Sequence, residues 1–242
     1  MIDIRQGNCL DLIKDIEDNS IDLIVTSPPY NKGYYVGNHS VGANTISIKT
    51  SNIVYGDFKD NLEPEEYERQ QRELLTECLR VIKPIGSIFY NHCDVLYKKR
   101  TVHPKWVYDY PLHQIIVWDR NGTMKLETSY FLPITEYVFW IQKGDGSPVK
   151  FNRQNAMFNS CIWKMQPDKA NKFPAPFPID LPLNCILTCT DEGDLVLDPY
   201  SGSGTTALAC NQTGRNFIGF ELNPDYVKMA EERSKNVIKS LF

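Results

Sequence analysis

The chain is 242 residues long, 42% hydrophobic and 23% charged, and this ordinary globular composition excludes wholesale disorder, collagen-like repeats and a disulfide-stapled miniprotein. No apolar run approaches the roughly 18 residues of a membrane span, and the opening MIDIRQGNCL shows no leader pattern, so a cytoplasmic protein with no membrane partner is expected. The net charge of −4 argues at first against nucleic acid. It is an average, however: residues 1–93 carry −5, residues 94–172 carry +5 and residues 173–242 carry −4.

In chain order, IDLIVT (21–26) is a continuous apolar run that suits a strand buried on both faces. Residues 31–62 are rich in Gly, Asn, Ser and Tyr and longer than most loops of compact domains, which predicts a functional, mobile loop. PEEYERQQRELLTECLRVI (64–82) predicts a helix, with Pro64 at its first turn, acidic residues near its start, and Leu74, Leu75, Cys78, Leu79 and Ile82 at helical spacing. GSIFYN (86–91), HQIIVWD (113–119) and TEYVFWIQ (135–142) predict further strands. Residues 144–178 are broken by Gly, Pro and Asn yet carry Lys150, Arg153, Trp163, Lys164, Lys169 and Lys172; basic and aromatic residues interleaved in irregular backbone suit a nucleic-acid groove. DLVLD (194–198), a helix over 205–214 stopped by Gly214, NFIGFE (216–221) and a helix over 224–241 complete the pattern. Strands alternating with helices imply one α/β domain over 1–242 with a largely parallel, doubly wound sheet. The seven cysteines (9, 78, 93, 161, 185, 189 and 210) lack CxxC or CxxH spacing, so reduced core thiols are expected and no metal site.

Two motifs carry chemistry. Leu195 to Thr206 combines a strand, a turn containing Gly202 and Gly204, and a helix start, where backbone can approach a ligand closely and free N–H groups can meet an anionic group. Asp198 at the strand end and Glu221 after the next strand stand where such folds bind nucleosides, and a carboxylate there can pair with ribose hydroxyls. No Lys follows the second glycine, so this is not a phosphate-binding P-loop. The other motif, Ser27-Pro28-Pro29-Tyr30, ends the first apolar strand. Its prolines stiffen the backbone and keep carbonyl acceptors while removing donors. Ser27 and the Pro28 carbonyl can accept both protons of an exocyclic amine while Tyr30 stacks on the ring that bears it.

Together the motifs resemble those of the DNA amino-methyltransferases, which methylate the exocyclic nitrogen of adenine or cytosine from S-adenosylmethionine. Ser27–Tyr30 is similar to their (Asp/Asn/Ser)-Pro-Pro-(Tyr/Phe) motif, and Asp198–Thr206 to their Asp-Pro-Phe-x-Gly-Ser-Gly-Thr-Thr loop, with Tyr200 in place of Phe. The amine motif comes before the cofactor motif, the permuted order of the β group. The resemblance implies a Rossmann-like methyltransferase sheet with a small irregular recognition insertion at 144–172, and a DNA-contacting role for the loop 31–62. It implies catalytic roles for Ser27, Pro28, Pro29 and Tyr30. It places S-adenosyl-L-methionine against Asn8, Cys9, Phe177 and Pro178, against Asp198, Tyr200, Gly202, Ser203, Gly204 and Thr205, and against Glu221 and Leu222. Two positions depart from the family pattern: Asn8 stands where Asp is common, and Phe173 where His is common.

The same resemblance implies duplex DNA as substrate, with the target base flipped out, and Lys150, Arg153, Lys164 and Lys169 as DNA-binding residues. Ser at the motif's first position favours N4 of cytosine, with N6 of adenine as the alternative; the absence of any Pro-Cys dipeptide disfavours ring-carbon methylation. A cognate restriction endonuclease and a homodimer are further partners the family implies. The rival readings are a protein or ribosomal RNA methyltransferase, in which the motif order is usually reversed, and a non-catalytic DNA-binding partner of a restriction system.

Overall fold

A computed structural model of the chain describes residues 1–37, 60–98, 100–121, 133–144, 149–168, 173 and 176–235. The strands are β1 (Ile2–Gln6), β2 (Ile21–Thr26), β3 (Ile82–His92), β4 (Val95–Tyr97), β5 (Arg100–Val102), β6 (Leu112–Asp119), β7 (Thr135–Gln142), β8 (Ile162–Lys164), β9 (Leu195–Asp198) and β10 (Asn216–Glu221). The helices are α1 (Cys9–Leu12), α2 (Lys32–Gly37), α3 (Pro64–Val81), α4 (Asp180–Cys189), α5 (Thr205–Gln212) and α6 (Pro224–Lys235).

Eight strands form one sheet in the order β1-β10-β9-β2-β3-β7-β6-β8, and β4 pairs with β5 in a separate hairpin. Only β7 runs against its neighbours β3 and β6 within the large sheet. The parallel strands β1, β10, β9, β2 and β3 therefore deliver their carboxyl ends to one edge, and β6 and β8 end there too. The strand order reverses direction of winding between β9 and β2, and a crevice at the carboxyl edge of such a switch point is where doubly wound sheets bind ligands.

The apolar runs predicted as strands are buried on both faces because a core lies on each side. Along β2, Leu23 and Val25 join one core with Phe89, Leu181, Cys185 and Ala207. Ile24 joins the opposite core with Leu74, Leu75, Cys78 and Ile88. On that second side α3 has Pro64 in its first turn with Glu65 and Glu66, and buries Tyr67, Gln71, Leu74, Leu75, Cys78 and Val81. Its solvent face carries the i,i+4 ion pairs Arg69–Glu73 and Arg72–Glu68. The helix ends where Ile82 turns extended, so β3 begins at Ile82, four residues before the predicted strand.

Several elements lie outside the sequence expectation. β1, α1, α4, β8 and the β4–β5 hairpin are short or lack a clean period, and tertiary pairing decides them. The predicted loop 31–62 opens with α2, and its residues 38–59 lie outside the described residues. In the stretch 144–172, β8 pairs with β6 and extends the main sheet, so its described part is continuous with the core fold. The helix predicted over 224–241 is described to Lys235. Six of the seven cysteines are buried, and Cys161 is exposed. Among the described residues no helix is long and apolar enough to cross a membrane.

Candidate active site

A cavity of about 260 Å³ opens at the carboxyl edge between β1, β10, β9 and β2. One side is built by the turn after β9. Gly202 and Gly204 have φ of 50° and 77°, a left-handed backbone that an L side chain resists. Space adds a second requirement: a Cβ on Gly204 would lie 2.7 Å from the Ala230 Cβ, and one on Gly202 would lie 2.8 Å from the Phe173 ring. Phe173, which replaces the family's His, thus caps the glycine turn and meets Tyr226 edge-on at 4.8 Å.

Two carboxylates flank this turn in different ways. Asp198 is fully buried, and its oxygens accept from the Thr26 hydroxyl at 2.8 Å, the Thr206 hydroxyl at 2.7 Å and the Tyr200 N–H at 3.1 Å. Burial pushes its pKa up to about 6, against the pull of those hydrogen bonds. Asp198 thereby ties β9 to β2 and braces the turn from behind. Glu221 instead lines the cavity. It accepts the Gly202 N–H at 3.0 Å and the Asn223 N–H at 2.8 Å, and burial holds its pKa above the usual carboxylate range. Each of its oxygens keeps a lone pair for a further donor. Arg233 of α6 donates to the Ser203 carbonyl and hydroxyl, both at 2.6 Å, and so fixes the turn from the outside.

The other side of the cavity is the Ser27–Tyr30 segment that leaves β2. The Tyr30 Oη lies 2.8 Å from Ser27 Oγ and donates to Glu136 Oε2 at 2.9 Å. Asn91 Nδ2 donates to the same Oη at 2.6 Å and to Glu136 Oε2 at 3.0 Å. Burial, then the Glu136 charge, raise the Tyr30 pKa well above its ordinary value, so the phenol keeps its proton. The Pro29 carbonyl accepts from the Tyr67 hydroxyl at 2.7 Å, and that hydroxyl also lies 2.9 Å from His92 Nε2. Burial lowers the His92 pKa to about 3, so the ring is neutral. Its Nδ1–H donates to the Cys93 carbonyl at 2.8 Å, so Nε2 is an acceptor that shares the single Tyr67 hydroxyl proton with the Pro29 carbonyl. The His92 ring also packs against Tyr30 at 4.7 Å between centroids. Past the motif, Asp60 accepts the Asn31 N–H at 2.7 Å and the Lys32 N–H at 3.0 Å, which pins both ends of the 31–62 segment together at the start of α2.

The residues named from sequence sort into three groups. Ser27, Pro28, Pro29 and Tyr30 line the cavity. So do Asn8, Cys9, Phe177 and Tyr200, and Gly202, Ser203, Thr205, Glu221 and Leu222. Asp198, Gly204 and Pro178 stand behind the wall: Asp198 for the reason given, Gly204 because it is the turn's contact with α6, and Pro178 because it leads into α4. The Asn8 side chain is already an N-cap, accepting the Leu10 N–H at 3.0 Å. Of the basic residues, Lys164 is exposed at the end of β8, on the same sheet edge as the cavity. Lys150 is at the opposite edge, paired at 2.7 Å with both Asp191 and Asp194 just ahead of β9, so two carboxylates already match its charge at the surface. Arg153 borders a second, aromatic-lined cavity on the sheet face beside α4. Lys169 lies outside the described residues. Asn91, Glu136, Tyr67, His92, Thr26 and Arg233 were not anticipated. Strand-end position was the one available signal for Asn91 and His92; nothing local marks the others.

A doubly wound sheet whose carboxyl edge sets a glycine turn and a nucleoside-type carboxylate opposite a rigid amine-accepting segment belongs to the methyltransferase class. The chain matches the family model described as DNA methylase, of the N6/N4 type, over residues 21–232. It belongs to that family. A Type II methyltransferase of Moraxella bovis, M2.MboI, is 28% identical over 244 residues, covering 95% of this chain and 86% of the relative. Among solved structures, the PvuII DNA methyltransferase, described as cytosine-N4-specific, shares the fold with a TM-score of 0.73 at 20% identity, over 98% of this chain and 88% of the other. The M1.HpyAVI–SAM complex shares it with a TM-score of 0.62 at 22% identity, over 97% and 100%.

Proposed function

We propose that this DNA methylase transfers a methyl group from S-adenosyl-L-methionine to the exocyclic N4 of a flipped-out cytosine in duplex DNA, with N6 of adenine as the alternative acceptor. The observation that carries the reading is the single cavity shared by the Ser-Pro-Pro-Tyr segment and the glycine turn with Glu221. The donor side suits the cofactor. Glu221 offers lone pairs for a further donor, and the buried Ser201 hydroxyl lines the cavity with no hydrogen-bond partner among the described residues. When bound, the sulfonium would supply an electrophilic methyl group, so no covalent intermediate with the protein is needed and positioning carries the rate.

Glu221 holds ribose hydroxyls in this reading, while Phe177 and Leu222 supply apolar contact. Ser27 Oγ and the Pro28 carbonyl accept the two amine protons, which turns the nitrogen lone pair out of the ring plane and toward the cofactor side. Tyr67 fastens the Pro29 carbonyl and so keeps the neighbouring Pro28 carbonyl aimed. Tyr30 provides a stacking surface for the extruded base, which offsets part of the few kcal/mol that flipping costs. DNA lies along the carboxyl edge near Lys164; much of the loop 31–62 and part of the region 144–172, expected to contact it, lie outside the described residues. Lys150 and Arg153, off that edge, are withdrawn from the proposed interface. The Type II names of relatives support a restriction–modification setting with a cognate endonuclease, and a homodimer remains part of the family reading.

Incubation with labelled S-adenosylmethionine and mixed-sequence duplex DNA, followed by nucleoside digestion, decides the acceptor. N4-methylcytosine is the expected product. N6-methyladenine alone would reassign the base, and absence of any methylated nucleoside would overturn the reading in favour of a non-catalytic DNA-binding role.

A further inference from the structure

The protons around Tyr30 can run in only one direction. Its Oη lies 2.9 Å from Glu136 Oε2, 2.6 Å from Asn91 Nδ2 and 2.8 Å from Ser27 Oγ. A carboxylate only accepts and an amide nitrogen only donates, so the single phenolic proton points at Glu136. The Ser27 hydroxyl must then donate to Tyr30. Ser27 Oγ accepts from Asn91 Nδ2 at 3.3 Å and keeps one lone pair, and it lines the cavity where an amine proton can reach it. The Asn91 amide is oriented by the same carboxylate: its Oδ1 is buried without a partner among the described residues, and turning the group over would set that oxygen against Glu136.

We infer that Glu136 is the terminal proton acceptor for methyl transfer, reached from the substrate amine through Ser27 and Tyr30. The inference rests on the amine-methylation reading above. The amine nitrogen uses its lone pair to form the N–C bond while the C–S bond breaks and its electron pair stays on sulfur, which leaves the nitrogen with one surplus proton. That proton passes to Ser27 Oγ as the Ser27 proton passes to Tyr30 Oη and the Tyr30 proton to Glu136. Bonds and charge balance: the amine ends neutral, Ser27 and Tyr30 end as they began, and Glu136 ends as the carboxylic acid. The proton on Oε2 is returned to solvent before the next turnover, while the other oxygen, Oε1, stays paired with Arg120 at 3.2 Å. Glu136 does not touch substrate and is a positioning residue that also receives the proton. The groups that face the hub are Arg120, the Lys32 ammonium 4.8 Å over the Tyr30 ring, Cys93 and the neutral His92.

Glu136→Gln keeps the acceptor for the Tyr30 hydroxyl but cannot hold a further proton, so it separates orientation from proton uptake. The test is the single-turnover methylation rate of the full chain in H2O and in D2O, beside the affinities for DNA and S-adenosylmethionine. The wild-type rate is expected to be slower in D2O, because protons move along the relay as the methyl group is transferred. Glu136→Gln is expected to lower the rate about 100-fold, to lose that isotope effect and to leave both affinities unchanged. Tyr30→Phe cuts the same relay while keeping the Glu136 carboxylate, so it should reproduce the slow rate and the lost isotope effect, and the double variant should be no slower than either single one. A Glu136→Gln protein, or failing its folding a Tyr30→Phe protein, with the wild-type rate and isotope effect overturns the relay while leaving the methyltransferase reading intact. A wild-type protein that methylates no DNA amine overturns both.

Discussion

The two halves of the cavity are built in opposite ways. The half proposed for the cofactor comes from one short run of chain, Asp198 to Thr206, closed by Glu221 on the adjacent strand β10. The half proposed for the amine has Ser27 to Tyr30 at its surface, but the groups that set its proton pattern come from β3, β7 and α3: Asn91, Glu136 and Tyr67. The first half is specified locally, by backbone that only glycine adopts with ease, and the second by long-range hydrogen bonds among buried polar groups. A local site should therefore fail through its backbone and lose stability along with binding. A networked site should fail through its chemistry and leave the fold standing.

The largest effect is expected at the amine half. Ser27→Ala removes the oxygen that meets the amine and the first link to Tyr30, and should cost about 100- to 10,000-fold in turnover with cofactor affinity unchanged; steady-state kinetics beside calorimetric titration checks it. Full turnover in this variant would end the contrast drawn above. Next comes the glycine turn. Gly204→Val combines positive-φ strain with overlap on Ala230, and thermal unfolding should show a loss of about 3 kcal/mol together with weaker cofactor binding. Gly193→Ala sharpens the reading, because it shares a positive φ of 85° but meets nothing within 4 Å; strain alone predicts about 1 kcal/mol and no change in cofactor binding. The smallest effect concerns the outer edge. Lys164→Gln should weaken DNA binding and reduce the slope of log K against log salt by about 1, whereas Lys150→Gln should leave that slope unchanged.

How far the sequence could be read follows the same division. Period and apolar runs located β2, α3, β6, β7, β9, α5 and β10, since each buries a regular stripe or both faces. They missed β1 and β8, whose few residues become strands by pairing with β10 and β6. The basic middle third predicts a DNA surface, but charge counted along a chain carries no information about which edge of the sheet each residue reaches. Lys150 was drawn to Asp191 and Asp194 at the far edge, while Lys164 came to the near one.

By itself the sequence determined the family, the sheet type and most of the residues that line the shared cavity, because glycine turns and stiff proline segments write their backbone requirements into consecutive positions. Only the tertiary structure decided that Asp198 is tied to Thr26 across β9 and β2, and that Asn91 and Glu136 set the hydrogen bonds of Tyr30. The reason is physical: a hydrogen bond between residues separated by 45 to 172 positions leaves no mark on local composition. It depends on which strand ends the folded sheet makes neighbours.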